Sequence, residues 1–373
     1  MATTFKTFLN NDITSTKTLL HEAIPLTGTI ASGTYNTAGA TTDTYDGTNI
    51  KNYAHGMFQS VYDYPYLSSS ANHIFDLTVG YASSSALSAS SDTTMQSKKI
   101  NIYNQMAQLM VGYNTTGDIR PFDEDGNLVA GGTKLRDCVF INFARLLAKD
   151  EIKKGSFTIK LGTGSYATPF NTTAGDAILT ISDSGKENDY RVNSPAGEYA
   201  ILSATAGYNS DIAVAPACGL IFYQAGIVVL SSSVFQSGSD STPDAGILGS
   251  GSVPFRSNDT YFTASLTGSA ISSSCNYFRN RIYDISFNNT TELNSTIHFC
   301  RVNHNDFNYS SNPTYLSSSK IVVKNNTLDA PISYITTVGL YSSDNELLAV
   351  AKLSEALKKD PTNEMTIRVR LDY

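Results

Sequence analysis

The sequence predicts a mainly β protein, sandwich-like, with two to three short helices set before its strand-rich half; a mixed α+β arrangement is the alternative. Three observations carry that reading. Only 16% of the residues are charged, against about 25% in an ordinary soluble domain, and Ser, Thr and Asn fill the gap. Stretches that alternate apolar and polar residues recur from Ser156 to the last residue. Residues 220–230 hold two short apolar runs around one turn, the mark of strands buried on both faces. With 373 residues, 41% of them hydrophobic, the chain can hold two domains and a sizeable core. That composition excludes disorder and a long coiled coil.

Taken in order, residues 1–30 read as an arm of short helical or extended pieces, with Pro25 stopping any helix. Residues 31–50 are a polar loop. Aromatic residues crowd 53–80, where Tyr62-Asp63-Tyr64-Pro65-Tyr66 alternates like a strand. Pro65 cannot donate to a ladder, so it belongs on an edge or at a strand end. A Ser-rich connector, 83–97, leads into a helix expected from about Lys98 to Val111. Ile100, Tyr103, Met106, Ala107 and Met110 form its apolar stripe, and Gly112 ends it. A second helix is expected from about Asn142 to Lys153, on Phe143, Leu146, Leu147 and Ile152.

Strands are predicted at 157–161, 177–181, 199–202, 220–223 and 227–230. Residues 231–254 are of low complexity and read as a loop. Strand signals return over 260–302, with Asn-rich turns between them. Tyr334–Tyr341 is a strand, 342–345 a turn, and Glu346–Val350 the start of the return. Met365, Ile367, Val369, Leu371 and Tyr373 then alternate with polar residues to the end. That pattern stitches the end into a sheet and predicts a buried carboxyl terminus. The organisation expected is 1–155, an N-terminal arm and mixed helix/strand region; 156–330, a β-rich body with long polar loops; and 331–373, a C-terminal β-hairpin plus final strand.

The chemistry-bearing motifs are sparse. G-x-S-x-G, the P-loop, a G-x-G-x-x-G after a strand and H-E-x-x-H are all missing from the sequence. His298-Phe299-Cys300 with His304 and Asp306 is the nearest approach to a metal constellation. Its spacing matches no standard zinc pattern, and an ordinary strand from Thr296 to Val302 accounts for it. Asp123-Glu124-Asp125-Gly126-Asn127 resembles part of a calcium loop but is read as lacking the spacing and distal Glu of an EF-hand, hence as an acidic turn. His55 and His73 sit among aromatic and apolar residues and are read as structural. The tyrosines at 62–66 fit a sugar-stacking or partner-contact surface as well as a core edge. Cys138, Cys218, Cys275 and Cys300 share no C-x-x-C spacing and are read as buried small hydrophobes. No catalytic, cofactor-binding or metal-binding residue is assigned, so no enzyme activity and no cofactor are expected.

Net charge is −7, and Lys and Arg cluster only in short pairs, so no nucleic-acid partner is expected. No charged segment leads into an apolar one near Met1, so no secretory signal is expected. The longest apolar stretch is too short to span a bilayer, and no membrane partner is expected.

Four stretches carry a resemblance: FLNNDITSTKTLLHEAIPLTGTI, YAHGMFQSVYDYPYLSSSANHIFDLTVGY, CGLIFYQAGIVVLSSSVF and YITTVGLYSSDNELLAVAKLSEALKKDPTNEMTIRVRLDY. Together they resemble virion structural proteins of T-even-like contractile-tailed phages of cyanobacteria, over most of the chain and most strongly over 8–30, 53–80 and 331–373. VGLYSSDNELLAVA, residues 338–351, also resembles a strand–turn–strand signature of tail-fibre and baseplate attachment proteins. The resemblance implies a virion component of the tail, baseplate or fibre-attachment region, assembled in the host cytoplasm. Its partners would be other virion proteins and copies of itself, with no small-molecule ligand. A head or neck decoration or completion protein is one alternative; a receptor- or glycan-binding, tailspike-like protein is the other. Such families supply no catalytic residues to carry over.

Overall fold

The computed structural model describes residues 5–25, 49–89, 94–129, 131–162, 178–206, 217–235, 270–279, 281–309, 316–317, 320–321, 328 and 331–373. Among them the strands, in chain order, are β1 (Ile13–Pro25), β2 (Ile50–Asn52), β3 (Gln59–Tyr62), β4 (His73–Tyr81), β5 (Phe122–Asp123), β6 (Lys134–Leu135), β7 (Asp137–Phe143), β8 (Glu151–Ile152), β9 (Thr158–Gly162), β10 (Ile178–Ser182), β11 (Arg191–Ser194), β12 (Gly197–Ala206), β13 (Ala217–Phe222), β14 (Ile227–Ser231), β15 (Ile282–Val302), β16 (Leu316–Ser317), β17 (Lys320–Ile321), β18 (Ser333–Tyr341), β19 (Leu347–Lys359) and β20 (Met365–Asp372). Three helices accompany them: α1 (Thr94–Met110), α2 (Arg145–Ala148) and α3 (Ile271–Arg279). The protein is therefore mainly β, and fourteen of the strands join in one sheet. The chain forms two compact units: residues 20–291, the body, and residues 1–19 with 292–373, the terminal unit.

In the body the sheet runs β15-β9-β10-β12-β13-β14-β7-β4-β3-β2. β13 and β14 lie mid-path, and the apolar run of the sequence is buried on both faces there: all five residues of β14 are buried. Gly226, at φ 66, makes the turn between them. Phe143 on β7 and Phe287 on β15 lie six strands apart along this path, a span of roughly 29 Å in a flat sheet at about 4.8 Å per strand. Their ring centroids are 5.0 Å apart. The sheet therefore folds back, so that its inner faces pack on each other as in a sandwich. β8 helps to close it, pairing with β15 through Ile152 and Asn289 while Ile152 N–H donates to the Tyr223 carbonyl.

Two helices cover β4. α1 approaches it so closely at Gly80 that a Cβ there would sit 2.7 Å from the Lys99 carbonyl oxygen. α3 lies against the same strand, where the Cys275 thiol meets the Leu77 carbonyl at 3.3 Å.

The helix at 98–111 is present and begins earlier, at Thr94; Tyr103, Ala107 and Met110 of the expected stripe are buried, Ile100 and Met106 stay half-buried, and Lys99 and Ile102 are buried beside them. The helix expected over 142–153 is replaced by β7, the four-residue α2 and β8. Asn142 and Phe143, the first residues of that span, end β7, where Asn142 pairs with Ile227 of β14 and Asp76 of β4 and Phe143 pairs with Phe75, and that pairing outweighs helical spacing. Lys149, at φ 55, then breaks any continuation. α3 was not anticipated, although Ile271, Cys275 and Phe278 stand at helical steps and are buried. From 282 to 302 one long strand replaces the expected strands and turns. Most of 31–50 and of 231–254 lies outside the described residues.

In the terminal unit β20 pairs with the end of β15, from Ser295 opposite Asp372 to Val302 opposite Met365. β18 and β19 form a separate two-stranded sheet. Leu340 packs with Ile367 and Val369, joined by Ile335, Val338, Ala349, Ala351, Leu353, Leu371 and Cys300. The hairpin thus lies over β15 and β20. The last strand is stitched in as expected, with Tyr373 and Asn294 exchanging two backbone hydrogen bonds. The buried carboxyl terminus is not seen: Tyr373 is 74% exposed, because the alternation puts backbone, not side chain, into the ladder.

Candidate functional site

The terminal unit places an apolar surface on the outside of its hairpin. Ser342 forms the turn, its hydroxyl accepting from the Asp344 and Glu346 amides, both at 3.2 Å, and Asn345 supplies the left-handed residue. On the strands that flank it, Tyr341, Leu347, Leu348 and Val350 are all exposed. Tyr341 and Leu347 lean over Gly339, whose missing Cβ leaves room for them. From the N-terminal arm, Phe5 meets Tyr341 edge-on at 4.9 Å. As a two-stranded sheet, the hairpin also carries unpaired backbone on each outer edge among the described residues.

The far end of the hairpin is pinned. Lys359 is fully buried, and its ammonium donates to the His304 carbonyl at 3.1 Å, Asn308 Oδ1 at 2.7 Å and the Asp360 carbonyl at 2.8 Å. All three of its donors are satisfied, the condition for burying a charge. Asp360 is held down to about 2, chiefly by hydrogen bonds from Thr362.

A second exposed apolar feature lies in the body between β3 and β4. Asp63 staples that loop: its carboxylate accepts from the Tyr64 amide at 2.8 Å, and from the Asn72 amide and side chain at 2.6 and 2.8 Å. Burial raises the Asp63 pKa, but these donors outweigh it and leave the group lowered. The stapled loop turns Tyr64, Tyr66 and Leu67 outwards, Leu67 at 86% exposure. Pro65 lies beyond the end of β3, within this loop.

The histidines and cysteines of the sequence are dispersed. His55 stacks on Tyr53 at 5.1 Å and accepts from the Met57 amide. His73 bonds Asp76 at 2.8 Å, and Asp76 also accepts from Ser60. The carboxylate stands between hydroxyl and imidazole, whereas a nucleophile relay needs the imidazole in the middle. His298 and Cys300 share the core face of β15, with His298 against the Phe8 ring at 5.3 Å. His304 uses its carbonyl on Lys359, and Asp306 pairs with Lys6. Among the described residues no three His, Cys, Asp or Glu side chains converge on one point. Burial pushes the thiols of Cys218 and Cys275 up to about 12 and raises Cys138 and Cys300, which keeps them protonated and weakly nucleophilic at neutral pH.

No family model, no curated protein and no solved structure matches the chain. The strand–turn–strand at 338–351 was singled out from sequence but its exposed residues were not; adjacent Leu347 and Leu348, which break the alternation where the pairing shifts register, are the signal.

Proposed function

We propose that this chain is a structural component of a tailed-phage virion, in the tail, baseplate or fibre-attachment region, and that it works by protein–protein assembly and not by turnover. The observation that carries the reading is the hairpin β18–β19. It holds the stretch that resembles attachment proteins, and it combines unpaired strand edges with exposed Tyr341, Leu347, Leu348 and Val350. Exposed edges and apolar patches of this kind suit partners that add strands or cover the face. β1 supports the same reading: its described residues are exposed almost throughout, Leu19 and Leu20 at 48% and 51%.

The exposed tyrosines of the 63–72 loop favour a second reading, recognition of a surface glycan by stacking on Tyr64 and Tyr66. The test for both is labelling of purified particles of the encoding phage with an antibody to this chain, beside a glycan-array screen of the pure protein. Label at a fixed place on the tail supports the assembly reading. Unlabelled particles with a glycan hit transfer the case to the second, and hydrolysis of a glycan or ester by pure protein would end the first.

A further inference from the structure

Asp123, Asp125 and Asn127 occur at alternate positions, and Lys134 is the twelfth residue counted from Asp123. In a calcium loop of twelve residues the ligands come from positions 1, 3 and 5, the carbonyl of position 7 and a carboxylate at position 12, while position 6 makes a sharp turn usually given to Gly. Position 6 here is Leu128, in the left-handed region at φ 57. The spacing of the first, third, fifth and seventh ligand positions is thus present; the twelfth is Lys134, and position 9, often a water-mediated ligand, is Gly131.

The twelfth side chain takes the place of an ion. Lys134 Nζ donates to Asp123 Oδ2 at 2.7 Å and to the Val129 carbonyl, position 7, at 2.6 Å. Asp123 is fully buried, and the Leu128 amide donates to the same Oδ2 at 3.0 Å. Its other oxygen, Oδ1, is buried with no hydrogen-bond partner among the described residues. Asp123 Oδ1 and Asp125 Oδ2 lie 3.6 and 3.8 Å from the point where a Cβ on Gly132 would stand, so both face one spot. Tyr199 hydroxyl donates to the Gly126 carbonyl at 2.8 Å and anchors the turn to β12.

We infer that this loop is a calcium-type cation site in which the Lys134 ammonium occupies the ion's place, and that a divalent cation takes the site once the ammonium is removed. A tethered ammonium keeps the turn ordered whatever the calcium concentration. A unit charge also leaves Asp123 Oδ1 unmatched, where a dication would engage both oxygens.

The test uses the full chain with Lys134→Gln and Lys134→Glu, melted in EDTA, in calcium and in magnesium. The wild type melts alike in all three. Lys134→Gln melts lower in EDTA and regains about 5 °C or more in calcium, as ligand linkage requires. Lys134→Glu, which restores the twelfth ligand, gains more, and magnesium restores neither. Should a variant not fold in EDTA, recovery on refolding with calcium is read by circular dichroism. Terbium emission sensitised by Tyr199 is a second readout, expected in Lys134→Gln and lost in the double variant with Asp123→Asn. A wild-type melt that moves with calcium, or a Lys134→Gln variant that calcium neither stabilises nor refolds, overturns the inference.

Discussion

All five residues of β14 are buried, whereas β19, thirteen residues long, buries only Lys359. Both strands are rich in Val and Leu. In the body, neighbouring strands and the opposite layer cover both faces of β14. In the terminal unit one face of β19 packs on Ile367 and Val369, while the other carries Leu348 and Val350 into solvent. The difference teaches where each unit's stability comes from. The body holds its own core; the hairpin leaves apolar surface open, about 25 cal/mol for each Å² that a partner of the proposed kind would cover.

One substitution made in both regions gives the largest contrast. A Cβ at Gly219 on β13 would meet the Val229 carbonyl oxygen at 2.0 Å and Leu230 Cα at 3.0 Å, both backbone. A Cβ at Gly339 would meet only the tips of Tyr341 and Leu347, at 3.0 and 3.2 Å, which can swing away. Gly219→Ala is expected to cost about 3 kcal/mol or more, and Gly339→Ala below about 1 kcal/mol. Urea unfolding monitored by circular dichroism checks both. Equal costs would break the contrast between a closed core and an open face.

Asp183 comes next. Its carboxylate accepts from the Tyr223 hydroxyl, the Gly155 amide and the Phe157 amide, each at 2.8 Å, tying the ends of β9, β10 and β13. Asp183→Ala strands three buried donors and should cost on the order of 3 kcal/mol. Tyr223→Phe removes a single donor and should cost about 1–2 kcal/mol. A Tyr223→Phe loss as large as that of Asp183→Ala would show that the hydroxyl, not the carboxylate, organises the knot.

The two units are weighted toward opposite ends of the pH scale. In the body three lowered carboxyls (Asp63, Asp118, Asp189) are offset by three raised ones (Glu124, Asp137, Asp183). In the terminal unit a raised Cys300 stands against lowered carboxyls. In the body burial raises Tyr103 and Tyr223 and pushes Tyr199, Cys218 and Cys275 up to about 12. The unfolded chain releases these protons near 9.0 for Cys and 10.0 for Tyr, so the body's stability is full below that range and is lost as pH rises toward 12. Lys99, lowered to about 8 by burial, acts the other way between there and 10.5 but is one group against five. In the terminal unit hydrogen bonds and cations lower Asp12, Asp306, Asp372 and, to about 2, Asp360. Their contribution is present above 3.8 and is lost as pH falls through each lowered value, about 2 for Asp360. Mass-spectrometric footprinting should find β18–β20 opening first at about pH 2.5 and β12–β14 first at about pH 11. Opening in the same order at both extremes would contradict this.

The legible parts of the fold were those where one period dominates. β9, β10, β13, β14, β18 and β20 fall where alternation or an apolar run puts them. The helix expected at 142–153 failed because Phe143, Leu146 and Leu147 fit a helical stripe while β7 was claimed by pairing on both sides, a tertiary effect that spacing does not encode. Serine-rich α3 was hidden because Ser and Asn are weak helix formers. The cation-type loop was half legible. Its oxygen-bearing residues show in the order Asp, Asp, Asn, but the ion's stand-in is a lysine, which a search for ligands passes over. The hairpin's outer face was legible only as the doublet Leu347-Leu348, whose exposure depends on which layer covers it.

The smallest expected effect on stability isolates the hairpin face. Leu348 and Val350 are 67% and 52% exposed, so replacing both by Ser should move unfolding by no more than about 0.5 kcal/mol. Val229→Ser, on the fully buried β14, should cost about 2 kcal/mol or more, because it opens a cavity and buries a hydroxyl. Assembly should rank the two in reverse. On the proposed assembly reading, the Leu348→Ser, Val350→Ser chain is expected to fold normally but to be lost from particles in complementation, since a partner would cover the face it alters. A Val229→Ser chain that still folds is incorporated. If the double variant enters particles as well as the wild type does, the exposed half of β19 is surface that no partner uses, and the contrast with β14 reduces to one of burial alone.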